Sequence, residues 1–143
     1  MSNEIKRKVE LWLSGLLSAA LPEMKFYASK GGDGAGGDTD AVPIVGPASV
    51  VTAEKPRKLL AEKDLWLVPV SVIYVTSIYD TTTPEHSVAV RKIYDVIAGI
   101  QPGFDGGQQL MVSGADITEV DEFEDAEKVG HGDLIALVVG CAG

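Results

Sequence analysis

Side chains able to do chemistry at neutral pH are few in this chain and thinly spread. They are Asp33, Asp38 and Asp40 in glycine-rich surroundings, then His86, His131 and the single Cys141. Seven acids, Asp116, Glu119, Asp121, Glu122, Glu124, Asp125 and Glu127, fall within twelve positions. Calcium is the first chemistry to test. Gly31-Gly32-Asp33-Gly34 partly matches a calcium-binding nonapeptide, but that repeat needs an aspartate where Gly36 stands and works only in stacks. An EF-hand loop needs oxygen ligands at alternate positions and a closing glutamate, and neither pattern is met. The glycines are followed by no Gly-Lys-Ser/Thr, and no Gly-x-Gly-x-x-Gly opens a helix, so they make no phosphate cradle. A Cys141–His131 pair could in principle act as nucleophile and base. Cys141, however, follows an apolar run, where an inert buried thiol is expected. His86 falls in the first turn of a helix, where a surface polar residue is the default. No serine sits in a nucleophile elbow. The clustered acids read as solvated, and solvated carboxylates keep pKa values unsuited to acid–base work near neutrality. The expectation is a protein that is not an enzyme, with no metal and no cofactor.

Composition narrows the class. The 143 residues are 45% apolar and 23% charged, which fits one globular domain with its own core. Twelve basic against 21 acidic side chains leave a net charge of −9, the wrong sign for gripping nucleic acid through phosphates. One cysteine cannot form an internal disulfide, and a reducing compartment is expected. No apolar run reaches the roughly 18 to 20 residues of a membrane span, and the helically spaced N-terminal segment does not read as a signal peptide. Charge is also unevenly placed. Residues 1–63 hold nine basic and eight acidic side chains, net +1, whereas residues 64–143 hold three and thirteen, net −10. The acidic segment is either a solvated hairpin kept soluble by charge or a surface that must not stick to DNA.

The elements that must position these residues follow from periodicity. Ile5, Val9, Trp12, Leu13, Leu16, Leu17 and Ala20 recur at helical steps over residues 3–21, with Ser2 or Asn3 as cap and Pro22 as stop. Met24–Ser29 reads as a short strand. Five glycines in Gly31–Gly37 predict a mobile loop or hairpin tip over about 30–42. Ala41–Ala53, broken by Pro43, Gly46 and Pro47, reads as an irregular or edge strand. Leu65–Ile78 alternates strictly, with Trp66, Val68, Val70, Val72, Tyr74, Thr76 and Ile78 on one face, and Pro69 predicts a bulge or an edge. A second helix starts at Thr83-Pro84-Glu85 and ends near Gly99 and Pro102. Gln109–Val112 and Ile117–Phe123 read as two strands, although Ile117, Val120 and Phe123 also suit a helical turn. Leu134–Cys141 reads as an interior strand. The order predicts an α+β single-domain sandwich over 1–143, an antiparallel-dominated sheet packed against two helices on one face. Trp12 and Trp66 fall on core faces, so packing outranks ligand stacking for both.

This order resembles a known family. The amphipathic helix ends at Leu21-Pro22, and a strand leads into a long loop. The central strand Trp66-Leu67-Val68-Pro69-Val70-Ser71-Val72 precedes a Thr-Pro-Glu helix with Ile93, Val96 and Ile97, then an acidic hairpin and a final apolar strand. The chain is similar over most of its length to the tail terminator or tail-completion proteins of tailed bacteriophages, including the minor tail protein group. The resemblance implies a structural virion protein forming a homo-oligomeric ring, a hexamer, that caps the head-proximal end of the tail tube. It implies tail tube and neck or connector proteins as partners, DNA passing through without specific binding, no membrane, assembly in the host cytoplasm, and a final place in the virion tail. Under it, Gly31, Gly32, Asp33, Gly34, Gly36, Gly37, Val42 and Ile44 are candidates for the assembly interface, and Asp121, Glu122, Glu124 and Asp125 for an acidic lumen. Two rivals stand beside it. One is another head–tail connector, tube or capsid-associated virion protein; the other is a small cellular ligand-binding α+β module with the glycine-rich loop as lid.

Overall fold

Ser2–Ala20 forms the first helix, α1, in the computed structural model, which describes residues 2–28, 48–58, 65–77, 84–125 and 130–142. Its buried stripe is Ile5, Val9, Trp12, Leu13 and Leu17. Each large aliphatic buried this way contributes about 1.5–3 kcal/mol relative to exposure. The Leu21 N–H donates to Leu17 O at 2.8 Å to close the last turn before Pro22.

The strands are β1 (Lys25–Ala28), β2 (Ala48–Ala53), β3 (Arg57–Lys58) and β4 (Trp66–Ser77). After helix α2 (Pro84–Ala98) come β5 (Gly103–Asp105), β6 (Leu110–Asp125) and β7 (Gly130–Ala142). They make one seven-stranded sheet in the order β1-β2-β4-β7-β6-β5, with β3 also pairing β4. Only β1 and β2 run parallel; every other described pair is antiparallel. Both helices pack on the same face. Ile93 and Ile97 of α2 join the α1 stripe over Val68, Val70, Val72 and Tyr74 of β4, Ile135, Leu137, Val139 and Cys141 of β7, and Leu110 and Val112 of β6. The α+β architecture of two helices on a mostly antiparallel sheet is therefore the observed fold. Trp12 is buried in this core, while Trp66 is half-buried at its rim with Lys58 Nζ 5.7 Å from its ring centroid.

Three expectations are corrected. Residues 48–53 form an interior strand between β1 and β4 rather than an edge; Pro43, Gly46 and Pro47 lie outside the described residues. Pro69 sits, as expected, where β4 is an edge for part of its length: among the described residues, Val68 and Pro69 have no ladder partner on the β2/β3 side. In an antiparallel ladder a residue's N–H and C=O point to the same side, and Pro69 O accepts the Glu54 N–H at 2.7 Å. The missing N–H therefore faces residues 54–56, where the neighbouring strand is interrupted between β2 and β3. The expected strands 109–112 and 117–123 are one continuous strand, β6, with register shifts at Ser113 and Thr118. Thr118 Oγ1 donates to Ala136 O at 3.2 Å across the second shift. Gln109 is not in the strand: its φ of 53° places it in the left-handed region, ending the turn Gly106–Gln109. In that turn Asp105 Oδ1 accepts the N–H groups of Gly107 and Gln108. Of the predicted alternating face of the central strand, Val68, Val70, Val72 and Tyr74 are buried, and Ile78 lies outside the described residues.

Candidate functional site

The sheet has a second face that no described helix or strand covers. It carries Leu67, Pro69, Ser71 and Ile73 of β4 and Leu134, Ala136, Val138, Gly140 and Ala142 of β7, all half-buried. Three of the most exposed large apolar side chains stand on it: Phe104 at 62%, Met111 at 47% and Tyr27 at 41%. The face follows from the registers, which place Tyr27, Val50, Ile73, Leu134 and Asp121 in one row across five strands. Val50 in that row is only 3% exposed, whereas Tyr27 at its β1 end is open.

The two lateral margins of this sheet differ in charge. One margin, formed by β1 at one end and β3 at the other, carries exposed Lys25, Arg57 and Lys58. The other is β6, where β5 pairs only with Leu110–Val112 and Ser113–Asp125 have no strand partner on that side among the described residues. Asp116, Glu119 and Asp121 on β6 are exposed and share the bare face. A hydrogen bond with Asp121 raises the Glu119 carboxyl above its ordinary value, and the like charge of Asp121 adds to the shift.

The four lumen candidates divide between the two faces. Alternation along β6 gives positions 121 and 125, opposite Leu134 and Gly130, to the bare face. Positions 122 and 124, opposite Asp133 and His131, belong to the helix-covered face. The interface candidates Gly31, Gly32, Asp33, Gly34, Gly36, Gly37, Val42 and Ile44, and with them Asp38 and Asp40, lie outside the described residues.

The residues singled out for chemistry are not brought together. His86 is in the first turn of α2 and His131 is opposite Thr76 and Glu124 on β7. Cys141 is ten residues from His131 on the same strand, about 33 Å at strand rise. Burial pushes the Cys141 thiol up to about 11, so it is neutral near pH 7. Among the described residues, no group of three or more His, Cys, Asp or Glu side chains is arranged to hold a metal ion. An open cleft of about 380 Å³ lies between the helix ends and β5, lined by Trp12, Leu16, Val96, Ile100, Phe104, Asp105 and others. The one carboxylate in that lining is Asp105, whose Oδ1 already holds the neighbouring turn. No described helix is long and apolar enough to cross a membrane.

Sequence periodicity missed Glu10. It is fully buried, its Oε2 accepts the Ala53 N–H at 2.9 Å, and its Oε1 stands 3.7 Å from Arg7 Nη1. β1 ends its pairing at Ala28↔Val51, so Glu10 takes over the edge of β2 just past the point where β1 stops. The signal was its place one helical step before Leu13 and two before Leu17, on the stripe itself. Lys25 and Arg57 were missed for a different reason: a lone cation has no sequence signature until the sheet order puts it on a margin.

No protein-family model matches the chain, and no curated protein matches it.

Proposed function

We propose that this chain is a structural subunit of a tailed-phage virion, a tail terminator that closes into a ring on the head-proximal end of the tail tube. The observation that carries the reading is the polarity of the sheet: a basic margin, an acidic margin, and a bare apolar face between them. Opposite charges on opposite sides of one subunit favour heterologous, head-to-tail contact over a two-fold dimer through either margin. Such contacts give rings when the rotation closes. The bare face, with Tyr27, Phe104 and Met111, is a surface offered to a protein partner. The acids of β6 repel phosphate and let DNA pass without being held. The order of elements carried by the resemblance supports the same reading.

Light scattering on the full chain, with negative-stain images of the same fraction, tests it. Closed rings of about six copies are expected. A strict monomer at all concentrations in low salt, with no affinity for tail tubes, overturns it. Replacing the bare-face acids Asp116 and Asp125 by lysine should create salt-sensitive DNA binding. Unchanged DNA affinity at low salt removes the conduit role from β6.

A further inference from the structure

We infer that the seam between neighbouring copies is a strand addition: the free edge of β6 at Val120–Phe123 pairs antiparallel with β1, Lys25–Ala28, of the next copy. This rests on the ring reading and goes on to name the surfaces that close it. Three independent features of the sheet meet there.

The first is direction. Passing along β1-β2-β4-β7-β6, one parallel and three antiparallel pairings leave β6 running opposite to β1. A neighbour related by rotation about an axis roughly along the strands keeps its strand directions, so its β1 meets β6 antiparallel, the better-bonded arrangement. The second is height. The registers Lys25↔Ala48↔Val75↔Gly132↔Phe123 and Ala28↔Val51↔Val72↔Ile135↔Val120 put β1 level with residues 120–123 of β6. β5 covers only Leu110–Val112, and on that side this stretch has no strand partner among the described residues. Faces match as well: Tyr27 of one copy comes opposite Asp121 of the next, both on the bare face, and Ala28 comes opposite Val120. Val120 belongs to the helix-covered face yet is 47% exposed, because its own helices do not reach it. The neighbour's β1 would cover it.

The third feature is charge. Lys25 falls diagonal to Asp121 across the seam, about 7–8 Å apart at the backbone and within reach of a lysine side chain. The acids and the two register shifts of β6 discourage pairing of β6 with another β6, while a lysine-bearing edge relieves the repulsion between Glu119 and Asp121. Five strands cross the sheet at this height. About six copies then give about 30 strands, and at about 4.8 Å per strand a ring about 45 Å across between backbones, wide enough for a duplex.

Cysteine pairs test the register. The double variant Tyr27→Cys/Asp121→Cys should give, on mild oxidation, a ladder of covalent oligomers up to the ring, since facing Cα atoms in a sheet lie within disulfide range. Tyr27→Cys/Asp116→Cys should give none. Native Cys141 is buried and does not compete. The charge variants provide a second measurement should the cysteines disturb folding. Lys25→Glu should weaken association by about tenfold or more, and Lys25→Glu/Asp121→Lys should restore it. Rings that form with no 27/121 ladder and no charge rescue overturn the seam and leave the ring reading standing. Absence of rings in the unaltered protein overturns the ring reading itself, and the seam with it.

Discussion

Leu134 and Leu137 stand three residues apart on the same strand and on opposite faces of the same sheet. Leu137 lies under both helices with almost no exposed surface, against β4 residues that alternate to meet it. Leu134 is half-buried in a row that runs from Tyr27 through Val50 and Ile73 to Asp121, with no described element above it. One face carries the stability of the subunit. The other carries apolar side chains that no described helix or strand covers, with Val50 nevertheless at 3% exposure, and its margins bear opposite charges.

The comparison can be broken most directly by truncating the two leucines. Leu137→Ala should lower unfolding free energy by about 2–5 kcal/mol in urea titration. Leu134→Ala should cost the isolated subunit about 1 kcal/mol or less, because little contact is lost. Equal losses would mean that the bare face is not open. Next in size is Glu10→Ala, which strips the buried Ala53 N–H of its acceptor and should cost about 1–3 kcal/mol. Glu10→Gln keeps an acceptor oxygen and should cost clearly less; parity between the two would mean the hydrogen bond does not hold β2.

Ser49 sharpens the contrast from the other side. Its hydroxyl is fully buried on the helix-covered face, opposite Tyr74, with no hydrogen-bond partner. Ser49→Ala should therefore raise stability by about 1 kcal/mol, and a loss would show that the hydroxyl is in use. The smallest effect is on the bare face. Glu119 is raised above the ordinary glutamate value, so protonation favours the folded state. That contribution is full below the ordinary glutamate range and is lost as pH rises through the raised value. In an NMR titration, Asp121→Asn should bring Glu119 back towards the ordinary value, and an unmoved midpoint would assign the shift elsewhere.

Much of the fold was legible because period and face agree. The helix over 3–21, the alternation of β4 and the apolar run of β7 each expose one consistent stripe, and the helix-covered core is those stripes put together. β6 was not legible as one strand, and its bulges explain why. An extra residue at Ser113 puts Val112 and Ala115 on the same face, and another at Thr118 does the same for Ile117 and Val120. Apolar residues three apart then imitate a helix while belonging to a strand. β3 and β5, at two and three residues, are too short to show any period. The acidic margin was visible as composition, whereas the basic margin existed only once the sheet order placed Lys25 and Arg57 at one side.

Among the described residues, β1 is tied to the sheet by one short pairing with a distant partner. Four positions, 126–129, separate β6 from β7, but nineteen, 29–47, separate β1 from its parallel partner β2. Closing the longer segment costs about 1.4 kcal/mol more in chain entropy, for only four residues of ladder in return. The β6–β7 hairpin can therefore zip together early, while β1, held by so short a ladder, is placed to leave first in any partial opening. Under the proposed seam, a strand held to its own sheet by four residues of ladder also meets the neighbouring copy, so fraying of β1 would loosen fold and assembly together.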